Sequence, residues 1–467
     1  MSYLKFIRAT AGLLALAAIA TAQTPPTGAG TAPATPGDGK IGGEPKARAM
    51  SKEETDAREA FVKGDLEKCL AEFQKAGKAN VNLPPAKIML ANLFIESRAQ
   101  NAGQSARELV ESAAAEDPRH PDIYLANGNY AFNEGRITEA ILNLQTCLKL
   151  SEDPRFDAEQ RTRFVRESRT GLVFCFERRR DYTSVKEHLT ALLSTDPKNA
   201  AFRARLAITN FNLGNTETSF ADLQTAFKDD PSLNPPELQM GLLWASRQDE
   251  SKAEEWMKKA VTVHVNDARA HRGYAGWLID IGKFDAAKPY LDSAEKIAPN
   301  ARDTLFLRGL LHRYLRQYPE AEKAFEGLVR ESASDVQAAG NLALILCESD
   351  DPKKKKRGVD LAESVVRQNP KAAEAYAVAG WCYYKSGRID DAEKALGESV
   401  KPGQANLDTV YYLAKVLTDR GKIEDAYKIL KAAVEKKGPF VYRPEALVLF
   451  ADLEKKLPPK KEEPKKP

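Results

Sequence analysis

Small and apolar residues return along this chain at a fixed spacing of 34 positions. Gly309, His312, Ala321 and Phe325 have counterparts one period earlier in Ala275, Leu278, Ala287 and Leu291, and two periods earlier in Gly241, Trp244, Ala253 and Met257. Before these stand Ala207, Asn210, Ser219 and Leu223. Downstream come Gly380, Tyr383, Ala392 and Leu396, then Ala414, Leu417, Ala426 and Leu430. Within each period the apolar residues stand three and four apart, the spacing that gives a helix one buried stripe. Each period therefore predicts two helices. Its repetition predicts a stack of like units rather than a globular enzyme.

The units start near residues 200, 234, 268, 302 and 336; a step of 37 leads to 373 and a step of 34 to 407. Upstream the phase is looser, with starts near 50, 84, 121 and 166. About eleven units thus cover 50–440. A small residue at the eighth place (Gly128, Ala207, Gly241, Ala275, Gly309, Gly380) lets the partner helix approach closely. A second small residue opens the other helix (Ala140, Ala253, Ala287, Ala321, Ala392, Ala426) and receives a bulky one. Between them, Gly135, Gly214, Gly282, Gly387 and Gly421 are placed to end the first helix in a left-handed turn. Pro118, Pro197, Pro231, Pro299 and Pro370 stop the second helix, because proline lacks the donor that a helix interior needs.

The clearest units are ARAHRGYAGWLIDIGKFDAAKPYLDSAEKIAP at 268–299 and AEAYAVAGWCYYKSGRIDDAEKALGESV at 373–400. Both resemble the tetratricopeptide repeat, whose pattern runs W-x2-L-G-x2-Y, then A-x3-F, then a closing proline. Tyr376, Ala379, Gly380, Tyr383, Gly387, Ala392 and Leu396 fall on that pattern. The resemblance, to the exported bacterial type, implies an all-α, right-handed superhelical solenoid of about eleven helix-turn-helix repeats. A stacked array needs a cap on its last face, and the amphipathic segment 441–456, VYRPEALVLFADLEKK, is expected to be that closing helix.

Three places depart from the regular spacing. Residues NAGQS stretch the turn of the unit from 84, and SEDPRFDAEQRTR is expected to extend a helix or a linker. After Leu346, ESDDPKKKKRG is expected to replace the usual tight turn: Asp350-Asp351-Pro352 marks a loop, and the inserted Lys353 to Arg357 supply five consecutive positive charges. The ends lie outside the repeats. Residues 1–22 carry Lys5 and Arg8, then AGLLALAAIATA, the pattern of a secretory signal peptide, though whether it is cleaved stays open. Residues 23–49 are rich in Pro, Gly and Thr and are expected to be a disordered spacer. The Lys/Pro-rich tail 457–467 is likewise expected to be disordered.

Of the formal charge of +4, the signal segment carries +2, and residues 455–467 carry six Lys against Glu462 and Glu463, or +4. The remainder is therefore near −2, a balance that argues against nucleic-acid binding. The Lys-rich tail could touch an anionic envelope surface. Cys69, Cys147, Cys175, Cys347 and Cys382 sit in five different units, without metal-site spacing and in odd number. They are expected to be buried thiols that act as small apolar residues. The five histidines are scattered, GDGKIGG at 37–43 lacks phosphate-loop spacing, and no nucleophile elbow is present. No catalytic residue, cofactor or metal is expected, and the oligomeric state stays open.

What remains is recognition at a surface. The resemblance implies that first helices line a concave groove through places two, five, nine, twelve and thirteen of each unit. In this chain those places give Asn129, Phe132, Asn133, Phe174, Arg178, Phe211, Asn212, Arg269, Arg272 and Asp280, then Phe306, Arg313, Tyr314, Glu348, Trp381, Tyr384, Lys385, Tyr411, Lys415 and Asp419. Aromatics with cations are common where binding energy concentrates. Phe306, Arg313, Tyr314, Trp381, Tyr384, Tyr411 and Lys415 form the richest candidate cluster, with Lys385, Arg272, Asn129 and Asn133 beside it. The carboxylate-clamp set of chaperone-type relatives is not matched, since Leu125 stands where its Lys would be. The expected function is a non-enzymatic scaffold for protein or peptide ligands, exported to the periplasm or cell envelope, or secreted. The alternative is an accessory of envelope polysaccharide synthesis and export or of outer-membrane assembly.

Overall fold

The first helices begin where the 34-residue spacing puts them, at Ala200, Ala268, Arg302, Val336, Ala373 and Leu407. The computed structural model describes residues 50–97, 101–400 and 405–457. The signal segment expected at 1–22, the spacer at 23–49 and all of the tail beyond residue 457 lie outside the described residues. Those residues carry 23 helices and no strand, and they divide into two compact units, one ending at Leu233 and one starting at Asn234.

The N-terminal unit holds α1 (Lys52–Val62) and α2 (Leu66–Ala79), α3 (Ala86–Ser97) and α4 (Ala102–Glu116), α5 (Pro121–Asn133) and α6 (Ile137–Leu150), α7 (Ala158–Arg179) and α8 (Tyr182–Thr195), and α9 (Ala200–Asn212) and α10 (Thr216–Asp229). The C-terminal unit holds α11 (Pro236–Ser246) and α12 (Glu250–Val263), α13 (Ala268–Asp280) and α14 (Phe284–Ile297), α15 (Arg302–Tyr314) and α16 (Tyr318–Glu331), and α17 (Val336–Glu348) and α18 (Pro352–Gln368). It continues with α19 (Ala373–Lys385) and α20 (Ile389–Val400), α21 (Leu407–Asp419) and α22 (Ile423–Val434), and closes on α23 (Arg443–Lys456). Successive helices pack as pairs, and within the C-terminal unit the first helix of one pair also touches the first helix of the next, as α17 touches α19.

Local chemistry sets the helix limits. Asp335 accepts the Ala338 amide at 3.0 Å and Asn406 accepts that of Thr409 at 2.8 Å, each satisfying a donor that a helix start leaves open. Most turns between the paired helices use one left-handed residue. Gly282 and Gly387 supply it at φ of 78° and 81°, whereas Arg316 is forced into the same region at 57°. In several pairs the joint is a glycine facing a bulky side chain, as at Gly128, Gly241, Gly309 and Gly380. A methyl placed on Gly309 would stand 2.8 Å from the Phe325 ring, and one on Gly380 would stand 2.5 Å from Leu396. Phe325 and Leu396 are fully buried there, as are Ala287, Ala321, Ala392 and Ala426. Burying a side chain the size of Phe325 contributes about 1.5–3 kcal/mol.

Two irregular places differ from expectation. The Lys353–Arg357 run is not a loop: it forms the first turns of the 17-residue helix α18. Asp351 caps it by accepting the Lys353 amide at 2.8 Å, and Pro352 fits the first turn, where its missing donor costs nothing. Lys354 bonds both Glu322 oxygens at 2.8 Å and Arg357 pairs with Glu326, so α16 neutralises part of the run. The closing helix starts at Arg443 rather than at residue 441, because Pro444 belongs in a first turn. Asn101, in the stretched segment NAGQS, takes a left-handed φ of 67°, and α4 starts at the next residue. All five cysteines are free and buried, as expected.

Candidate partner-binding face

Between α22 and α23 the chain leaves its helices and forms a five-residue strap, Gly438-Pro439-Phe440-Val441-Tyr442. The strap crosses the face made by the first helices of the C-terminal unit. Gly438, at φ 121°, lies against the end of α13: a methyl there would be 3.7 Å from the Asp280 carbonyl. Phe440, Val441 and Tyr442 are buried. Arg443 braces the strap from behind, donating to the carbonyls of Lys436 at 2.8 Å and Gly438 at 3.3 Å while covering the Phe440 ring.

Four first helices, or the turns that follow them, contribute to the seat. From α21, Asp408 accepts the Val441 amide at 2.9 Å and the Tyr442 amide at 3.4 Å on one oxygen, and Arg313 at 3.2 Å on the other. Arg313, at the end of α15, also donates to the Tyr412 hydroxyl at 3.2 Å. Burial pushes the Asp408 carboxyl above its ordinary range, and the Arg313 charge and the two amides pull against that rise. In the turn after α15, Arg316 donates to the Val441 carbonyl at 2.6 Å and clasps Glu445 through both carboxylate oxygens. That hydrogen bond holds the Glu445 carboxyl below the usual range. From α17, Glu348 receives the Tyr442 hydroxyl at 2.5 Å, the Trp381 indole N–H at 2.6 Å and the Lys385 ammonium at 3.0 Å.

The aromatic residues form one stack around this polar floor. Trp381 lies between Tyr384 and Tyr412, with centroids 5.1 and 4.2 Å away, and Tyr442 stacks on Tyr411 at 5.1 Å. Burial pushes the Tyr411 hydroxyl up to about 12. Of the candidate residues, Arg313, Trp381, Tyr384, Lys385, Tyr411 and Lys415 come together here. Arg313, Trp381 and Tyr411 are not on an open groove: they are 8%, 3% and 7% exposed, because the strap lies on them. Tyr384 and Lys415 lie at the rim, where Asp419 accepts from both, at 2.7 and 3.0 Å.

Tyr314 packs against the same cluster, with Arg313 5.7 Å from its ring, and stacks on Phe284 at 5.2 Å. The remaining candidates lie elsewhere: Phe306 packs edge-on against Phe325 at 5.7 Å, inside its own helix pair. Arg272 faces Asp303 at 3.5 Å. Asn129 and Asn133 belong to the N-terminal unit, where the Asn129 Oδ1 is buried with no hydrogen-bond partner among the described residues. Near them, Arg178 lies over the Phe132 ring at 4.5 Å and Arg205 over Phe174 at 4.6 Å. Asp408 was not among the candidates, although it stands at the second place of its unit; an acidic residue there was the available signal. Val441 and Tyr442 fall inside the expected closing helix, and Gly438, Pro439 and Phe440 at the end of the expected array.

A family model described as tetratricopeptide repeat matches residues 278–336, 306–352 and 355–407, the stretch that supplies most of this seat. The matched stretch carries tetratricopeptide repeats. Solved structures to which the chain is similar include a tetratricopeptide repeat protein of Parabacteroides merdae, at 16% identity over 54% of this chain and 99% of that one, with a TM-score of 0.42. A thermophilic one from Thermus thermophilus is 18% identical over 40% of this chain and 98% of that one, with a TM-score of 0.34. Yeast Tom70 is 12% identical over 86% and 95%, also with a TM-score of 0.34. No curated protein matches the chain. The face made by the first helices here has a carboxylate for amides, a guanidinium for a carbonyl and ring faces for aromatic side chains.

Proposed function

We propose that this protein is a non-enzymatic scaffold that binds protein or peptide partners on the faces made by its first helices, and that it works in the cell envelope. The observation that carries the binding reading is the seat itself. Glu348 and Arg316 grip strap residues 94 and 125 positions away in the sequence, through a phenol and a backbone carbonyl rather than through one covalent or metal contact. A surface that takes hold of a distant segment in this way has the equipment to take hold of a foreign one. The envelope location rests on Lys5, Arg8 and the apolar run that follows them.

The test is crosslinking of the full chain in its native cells, followed by mass spectrometry of the captured partners and of the protein itself. The reading expects crosslinks that map to first helices such as α5, α7 and α19, and an intact mass lacking residues 1–22. Partners attached only through second helices would contradict the binding face. A full-length mass recovered from the cytosol would contradict export.

A further inference from the structure

The strap is a ligand that the chain carries for itself. Its seat is specific in chemistry: two adjacent amides go to Asp408, one carbonyl to Arg316, one phenol to Glu348, and two rings to the Trp381–Tyr411–Tyr412 stack. Its fastening is lighter than its seat. Glu435, Lys436 and Lys437, which lead into it, are exposed. The outer clasp, Arg316–Glu445, is about two-fifths exposed on each side, the kind of pair worth only about 0–1 kcal/mol. Arg316 is moreover held in the left-handed region, which a residue with a side chain rarely adopts.

We propose that the strap is a displaceable plug, and that the seat beneath it receives a partner segment of the same chemistry: an aromatic–aliphatic–aromatic triplet leading into a helix. The helix start matters because it presents consecutive amides that have no partner within the helix, and Asp408 takes such amides. Arg316 and Glu348 then select the carbonyl and a phenol. This rests on the scaffold reading and narrows it, naming what the C-terminal unit recognises and why the resting chain keeps that site covered.

The experiment uses a fluorescein-labelled peptide of residues 436–457, titrated by anisotropy into three full-length proteins: wild type, Phe440→Ala/Tyr442→Ala and Glu445→Gln. All three keep the seat residues. The plug account expects the double variant to bind the peptide at least tenfold tighter than wild type, with Glu445→Gln between them. A peptide with alanine in place of both aromatic residues should bind none of the three. Should the double variant lose its helical circular dichroism, Glu445→Gln against wild type decides alone. Folded variants that ignore the peptide would overturn the plug, while partners captured in native cells would leave the scaffold reading standing. Equal binding to all three would place the peptide elsewhere and also overturn it. Concentration-dependent dimers of the wild type by light scattering would make the occupant the strap of a second copy, overturning the assignment to a foreign segment.

Discussion

The Asp408 carboxylate accepts the Val441 amide on one oxygen and the Arg313 guanidinium on the other, and so joins two repeats and the strap at one buried point. Removing one member leaves the other charge without its partner in the interior. Asp408→Ala should therefore cost about 3–5 kcal/mol, read from the urea midpoint of tryptophan fluorescence. Replacing both charges, as Arg313→Met with Asp408→Leu, should cost clearly less than the single change. A double variant no more stable than Asp408→Ala would show that the pair is not the source of the loss.

The glycine joints should differ among themselves. A methyl at Gly380 meets Leu396 Cγ at 2.5 Å and its backbone nitrogen at 3.1 Å, whereas one at Gly241 meets only flexible Met257 side-chain atoms, at 3.0 Å and beyond. Alanine gains about 1 kcal/mol over glycine in a helix interior, and overpacking costs about 1–3 kcal/mol. Gly380→Ala should thus destabilise, while Gly241→Ala should lie near neutral. Thermal melts in the reverse order would contradict this assignment of the joints.

The clasp predicts a response to acid. Glu445 is lowered by its hydrogen bond to Arg316. A lowered carboxylate contributes stability that is whole above its unfolded value, about 4.3, and is lost as pH falls through the lower folded value. Wild type should lose the clasp's share below about pH 4, and Glu445→Gln should not. Parallel urea curves for the two proteins from pH 6 to pH 3 would remove the clasp from the account.

Thiol chemistry gives a separate check on packing. Burial pushes the Cys147 and Cys175 thiols up to about 12 and raises those of Cys69 and Cys382. At pH 8 the native protein should label with Ellman's reagent far more slowly than the chain in guanidinium, where all five should react. Immediate labelling of the native form would mean that the repeat joints are open.

The helix pairs were readable because their signals are local. The small eighth-place residue and the small residue opening the second helix act within one period, so the starts at Ala268, Arg302 and Ala373 follow from counting. The candidate cluster was partly readable for the same reason: Trp381, Tyr384, Tyr411 and Lys415 stand at fixed places in their units. What covers them was not. The strap touches Glu348 and Arg316 across 94 and 125 residues, contacts that depend on how several repeats bring their first helices together. Periodicity says nothing about that. The Lys353–Arg357 run was misplaced because Asp350-Asp351-Pro352 reads as a loop, while Asp351 and Pro352 start a helix there.

Hydrogen exchange of the segment around Val441 tests the central claim most directly, because the claim is that the first-helix face grips this strap. The Val441 and Tyr442 amides, donated to the buried Asp408, should exchange far more slowly than those of Glu435, Lys436 and Lys437. In Asp408→Ala that protection should vanish. Exchange at Val441 and Tyr442 in the wild type as fast as in the exposed lead-in would contradict the account.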